Sequence, residues 1–366
     1  MIPIAEPSLG EKELEYLTDC LKSGWISSLG GYIVRFEEKF SRYCGARYGL
    51  ATSSGTTALH LALATLGIGP GDEVLVPTLT FIATANAVVY CGAKPVFVDS
   101  EPSTWNMDPS RIEEKITPRT RAIIPVHVYG HPCDMDPILE IARMHGLFVI
   151  EDAAEAHGAQ YKGRKVGSLG DFGCFSFYGN KIITTGEGGM VLTNDEKLAK
   201  KASLLRDHAM SEEKRYWHLE IGFNYRMTNL QAAIGLAQME KIESFIEKKR
   251  QNAALYNQLL SGVRGLSLPC EAEWARSVYW MYSVLIEDDF GLSRDEVMAR
   301  LREKGIDTRP FFYPLHTQPP YYVNEKKESY PVAEEMARKG INLPSAVTLN
   351  REEIAYIAET ITSLAR

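Results

Sequence analysis

Residues 147–159 read LFVIEDAAEAHGA. Four apolar residues, Leu147 to Ile150, stop at the acidic pair Glu151 and Asp152, as a buried strand does where it leaves a sheet for a loop. The pattern repeats on both sides. Upstream, Arg47 to Ala51 leads into a helix beginning near Thr56, Glu73 to Val76 precedes a helix expected over Thr80 to Cys91, Pro95 to Val98 ends at Asp99, and Ala122 to Val126 precedes a Met135 to His145 helix. Downstream, Cys174 to Phe177 and Met190 to Leu192 flank GNKIITTGEGG (179–189), too short and polar for a crossover helix, so this pair is expected to run antiparallel. Strands alternating with helical crossovers predict an α/β protein with a mostly parallel central sheet.

The 366 residues exceed what one core usually organises, so two domains are expected. Thr228 to Leu260 reads as one long helical region, with Thr228 or Asn229 as its cap. Beyond it lie a strand over Tyr279 to Ile286, a helix over Arg294 to Lys304, a proline-rich loop and a last helix near Arg351 to Leu364. The expected division is a large domain, 1–240, and a smaller α/β domain, 241–366.

A net charge of −7 argues against a nucleic-acid surface, which would want clustered excess Lys and Arg. The six cysteines are scattered without a C-x-x-C pair, so reduced thiols and a cytoplasmic protein are expected. The first residues, MIPIAEPSLGEKELEYL, lack the basic-then-apolar order of a secretory signal. Val74 to Ala93 carries no charge over a membrane-spanning length, but Pro77, three threonines and Asn86 interrupt it. A buried strand and helix are expected there, with no membrane partner.

Ligands of open parallel sheets bind beyond the carboxyl ends of the strands. Asp152, Ser176, Lys181 and the turn SSGTT (53–57) all fall at that edge. Each also has a plain structural reading: Asp152 as a helix cap, Lys181 as a solvated loop residue, SSGTT as a helix start, Glu187 as a turn residue. His127, His131, Cys133 and Asp134 lie within eight residues, but their spacing matches no zinc finger and no metal is expected.

The order of candidate phosphate turn, strand-terminal Asp and Lys in a Ser-containing segment resembles fold type I pyridoxal-phosphate enzymes. EDAAEAHGA (151–159), GSLGDFGCFSFYGNKIITTGEGGM (167–190) and GFNYRMTNLQAAIGLAQ (222–238) are similar to the DegT/DnrJ/StrS family of nucleotide-sugar aminotransferases, over almost the whole chain. The resemblance implies that Lys181 carries pyridoxal 5'-phosphate as a Schiff base and acts as proton shuttle, and that Asp152 pairs with the pyridine nitrogen. It further implies Glu155 at the ring hydroxyl, Gly55, Thr56 and Ser176 at the phosphate, Phe81 stacked on the ring, and Asn224 donated by the other subunit of a homodimer.

The family chemistry implies an amino donor, usually glutamate, and a nucleotide-linked keto-sugar acceptor. The similarity is nearest to enzymes that aminate C4 of GDP-4-keto-6-deoxymannose for surface polysaccharide. A UDP-linked 4-keto sugar is the alternative, because loops that the catalytic motifs do not specify select the nucleotide. Arg309, Tyr313, His316 and the RYWH segment (215–218) are the candidate substrate contacts. Family dehydratases have His where this chain has Lys181, so transamination is expected. A non-catalytic regulator on this fold would carry a basic DNA-binding module, for which the chain has no spare length.

Overall fold

The structure, a computed structural model, describes residues 1–322 and 328–365. Seven strands form the large sheet: β1 (Tyr48–Thr52), β2 (Glu73–Pro77), β3 (Lys94–Val98), β4 (Thr120–Ile123), β5 (Phe148–Asp152), β6 (Phe172–Ser176) and β7 (Gly189–Thr193), in the order β1-β7-β6-β5-β4-β2-β3. Neighbours from β3 to β6 pair in parallel, whereas β7 is antiparallel to both β6 and β1. The expected antiparallel pair is therefore present. Because β7 runs backwards, its amino end shares an edge with the carboxyl ends of the others and brings Glu187 to it.

Successive side chains of a strand point to opposite faces, and both faces here are covered. Leu75, Ile123, Val149, Phe175 and Leu192 enter one apolar cluster. It also takes residues from α1 (Glu11–Ser23), α2 (Gly31–Cys44), α5 (Met135–His145) and α7 (Asn229–Met239). Val74, Val76, Ala122, Ile150, Phe172 and Val191 enter the other. Residues of α3 (Gly55–Thr65), α4 (Ala83–Tyr90) and α6 (Glu196–Arg206) join them there. A sheet buried on both faces explains why its strands read as continuous apolar runs.

A second, four-stranded sheet is antiparallel: β8 (Leu266–Ser267), β9 (Tyr282–Ile286), β10 (Arg309–Pro310) and β11 (Gly340–Leu343), in the order β8-β9-β11-β10. It packs with α8 (Ile242–Leu260), α9 (Arg294–Glu303) and α11 (Arg351–Leu364), while α10 (Pro331–Lys339) runs into β11. The first residues of the chain join this smaller unit: Ile2 bridges Ile306, and Ser345 N–H donates to the Ile4 carbonyl at 2.9 Å.

Two expectations need correction. The region Thr228 to Leu260 is two helices, broken at Glu240 and Lys241. No breaker residue stands there; the Lys241 amine is instead drawn to Glu13 of α1 at 2.6 Å, and Gln238 donates to the same carboxylate at 2.6 Å. The helix expected from Thr80 begins only at Ala83. Thr78 is held by the smaller unit, its carbonyl accepting from Leu315 N–H at 2.8 Å and its hydroxyl meeting His316 Nδ1 at 2.7 Å. Residues 78–82 are thus kept irregular. The uncharged stretch Val74 to Ala93 is β2 followed by α4, and no helix among the described residues is long and apolar enough to cross a membrane. All six cysteines are free thiols.

Candidate active site

The strand ends open onto a cavity of about 380 Å³. Asp152, at the last position of β5, is buried: Thr84 donates to its Oδ2 at 2.8 Å and Ala154 N–H to its Oδ1 at 3.2 Å. Burial raises its pKa, and the two hydrogen bonds and the Lys181 charge only partly oppose this. A carboxylate so placed, with two neutral donors, calls for a cation opposite it.

Glu155 follows on the same loop. Its Oε2 accepts from Tyr129 N–H at 2.8 Å, and Lys181 Nζ stands 3.6 Å from its Oε1. Tyr129 (φ 53°) and Gly130 (φ 97°) are both left-handed, a turn that costs free energy at Tyr129 and aims its amide at the carboxylate. A side chain at Gly130 would come within 2.8 Å of the Trp280 nitrogen. Burial lifts Glu155 to about 7, against the pull of Lys181.

Lys181 lies in the turn after β6. Besides Glu155, its amine faces the Trp280 ring at 3.7 Å from the centroid, and the indole N–H donates to the Asn180 carbonyl at 2.9 Å. Burial lowers the pKa of this lysine, while Glu155 and Asp152 resist. A positioned amine whose charged form burial disfavours can add to a carbonyl and move a proton.

The third wall is the start of α3. Ser54 caps it, its hydroxyl accepting from Thr57 N–H at 3.2 Å, which leaves the Gly55 and Thr56 amides at the helix end. Ser176 lies against them: a Cβ at Gly55 would be 2.7 Å from Ser176 Cβ. Amides and hydroxyls at a helix N-terminus suit a phosphate. Phe81 stands at the mouth, 57% exposed, with one neighbouring ring, Phe312, at 6.0 Å. An anion cradle, an exposed aromatic face at Phe81, a buried carboxylate and a poised amine around one cavity fit pyridoxal phosphate.

Of the expected residues, the cavity thus brings together Asp152, Glu155, Lys181, Gly55, Thr56, Ser176, Phe81 and Glu187. Asn224 is exposed and outside the cavity of its own chain, its backbone bridged to Asp207. Arg309 pairs with Asp307 at 2.5 Å, and His316 lies between Thr78 and Glu334, so neither lines the cavity. Tyr313 is exposed beside Phe312, and Tyr216 and Trp217 of the RYWH segment are exposed in their loop. His127 is held between the Glu151 carboxylate at 3.1 Å and Cys133 N–H at 3.0 Å, while His131 bonds the Pro132 carbonyl and Ala272 N–H. Sequence reasoning missed Thr84 and Trp280, which line the cavity, and did not single out His157, which lies outside its lining. His157 is buried among Phe40, Phe175 and Phe177, neither ring nitrogen hydrogen-bonded among the described residues, and burial lowers it to about 3. Only its place in the EDAAEAH run could have drawn attention to it.

A cavity of this composition at the carboxyl edge of a fold type I sheet defines a pyridoxal-phosphate enzyme. Residues 7–362 match the DegT/DnrJ/EryC1/StrS aminotransferase family. The chain is 51% identical over 354 residues to the GDP-perosamine synthase of Caulobacter vibrioides, covering 96% of this chain and 95% of that one. It is 50% identical over 360 residues to the GDP-perosamine synthase of Escherichia coli O157:H7, covering 98% and 97%. Among solved structures, Streptomyces venezuelae DesV in complex with a ketimine intermediate superposes with a TM-score of 0.91 at 38% identity, covering 96% and 93%. The chain belongs to the DegT/DnrJ/EryC1/StrS family and is a pyridoxal-phosphate-dependent sugar aminotransferase.

Proposed function

We propose that the chain is a GDP-perosamine synthase, transferring an amino group from glutamate to C4 of GDP-4-keto-6-deoxymannose. The carrying observation is the Lys181 amine, held between Glu155 and Trp280 and close to Asp152, in a chain about half identical to two enzymes of that name. Bound pyridoxal phosphate supplies a ring that withdraws electrons from the carbon bearing the amino group. Asp152 would hold the ring nitrogen protonated, and that cation would offset the burial that raises the pKa of the carboxylate. Glu155 would hold the ring hydroxyl, Phe81 would cover the ring, and the Gly55 and Thr56 amides with the Ser176 hydroxyl would hold the phosphate. Lys181 holds the cofactor and moves the proton at the sugar C4.

Asn224, exposed and outside its own cavity, supports a homodimer in which each subunit completes the other's site. The separation of the seven-stranded from the four-stranded sheet and the break at Glu240 and Lys241 support a division at 1–240 and 241–366, with the first residues crossing to the smaller unit and a short ladder pairing Ala275–Arg276 with Gln160–Tyr161 across the boundary. Scattered free thiols support a cytoplasmic setting.

The test is single-turnover amine transfer from enzyme loaded with the glutamate amine to GDP-4-keto-6-deoxymannose and to UDP-linked 4-keto sugars, followed by absorbance and product mass. Rapid transfer to the GDP sugar alone is expected. Transfer to a UDP sugar alone would replace the named substrate, and no transfer to any keto-sugar would overturn the reading.

A further inference from the structure

The buried amine of Lys249 takes no part in the reaction described. It projects from α8, is 6% exposed, and donates to two main-chain carbonyls, Trp280 at 3.0 Å and Ser345 at 2.7 Å. Among the described residues no carboxylate pairs with it, and burial alone lowers it to about 7. An unpaired buried cation costs several kcal/mol, whereas a methionine would fill the same space at no such cost. The two acceptors suggest what offsets that cost.

Ser345 follows β11 and fastens the smaller sheet: its hydroxyl accepts from Tyr282 N–H at 2.7 Å, and its amide donates to Ile4. Trp280 stands just before β9 and is clamped three ways. Lys249 holds its carbonyl, its indole N–H is bonded to Asn180, and its nitrogen lies against the side-chain-free face of Gly130. The clamp presents the ring face to Lys181 Nζ at 3.7 Å. An aromatic face stabilises an ammonium without a directed hydrogen bond. The amine is therefore kept near while staying free to move.

We propose that Lys249 is a positioning residue of the active site: by holding the Trp280 carbonyl it sets the indole against the free Lys181 amine and ties that amine to the smaller sheet. The inference rests on Lys181 being the residue that takes up the cofactor.

The test follows capture of pyridoxal 5'-phosphate by the full-length, cofactor-stripped chain, read as growth of the visible band, in Lys249→Met, Trp280→Ala and the double variant. Lys181→Ala serves as the control. Coupling through a packed network is worth about 0.5–2 kcal/mol, so Lys249→Met is expected to slow capture by about 2- to 30-fold, and Lys249→Arg to restore part of the rate. The double variant is expected to be no slower than Trp280→Ala alone, since Lys249 acts on Lys181 through the indole that Trp280→Ala already removes. Wild-type capture by Lys249→Met, or effects that multiply in the double variant, would overturn the proposal while leaving Lys181 in its role. Unchanged capture by Lys181→Ala would instead overturn the reading on which it rests. Should Lys249→Met fail to fold, the same cycle with Lys249→Leu, which also removes the donor, decides between the same outcomes.

Discussion

The Thr84 hydroxyl, from the first turns of α4, donates to Asp152 Oδ2 at the end of β5 across 2.8 Å, joining two elements 68 residues apart. It is the only side-chain hydroxyl on that carboxylate among the described residues, so it is a main support of the charged form. A hydrogen bond to a charged group contributes about 1.5–3 kcal/mol. Thr84→Val should therefore weaken pyridoxal phosphate binding by about 10- to 100-fold, measured by absorbance titration of the stripped protein. Unchanged affinity would remove Thr84 from the site.

Asp152→Asn keeps the size of the side chain and removes its charge. A preorganised charge in a dry site is worth about 10²–10³ in rate. Amine transfer should fall by that factor while the melting temperature shifts little, and a fall under threefold in single-turnover rate would contradict the charge-pair role.

Lys181→Ala should abolish turnover and the visible band of the lysine-bound cofactor. Lys181→Arg should do no better, because a guanidinium stays charged and cannot add to a carbonyl. A visible band in either variant would point to another lysine.

At Gly55 an added Cβ would meet Ser176 Cβ at 2.7 Å, and both atoms belong to backbone-fixed positions. Gly55→Ala should cost about 1–3 kcal/mol in the folded protein, and pyridoxal phosphate affinity should drop through displacement of the helix start. Inorganic phosphate should protect wild type against heat more than the variant. Equal protection would place the phosphate elsewhere.

Glu155 gives a pH signature in the cofactor-free protein. Burial raises its pKa from 4.5 to about 7, so its contribution to stability is complete below about 4.5 and is lost as pH rises through 7. Glu155→Gln should flatten this dependence, gaining on the order of 2 kcal/mol relative to wild type between pH 5 and 8. Denaturant melts at the two pH values provide the check, and parallel curves would mean that the Lys181 charge outweighs burial.

The strands of the large sheet were legible because a sheet buried on both faces must be written in short apolar runs. The Met135–His145 and Arg351–Leu364 helices were legible from their apolar period. The long helix was misread because Glu240 and Lys241 are good helix formers, and the break depends on Glu13, more than two hundred residues away. Nothing local could announce it. His316 looked like a substrate contact because a polar ring in a proline-rich loop is a reasonable candidate, yet Thr78 occupies it.

By itself the sequence determined the order of strands and helices and, through the spacing of SSGTT, Asp152, Ser176 and Lys181, which residues reach the carboxyl edge of the sheet. Both follow from local rules, since strand period and strand ends are set by neighbours along the chain. Only the tertiary structure decided that Thr84 supports Asp152, that the turn at Tyr129 feeds Glu155, and that Trp280, clamped by Lys249, covers Lys181. These contacts join distant segments, and their geometry exists only once two sheets have packed together.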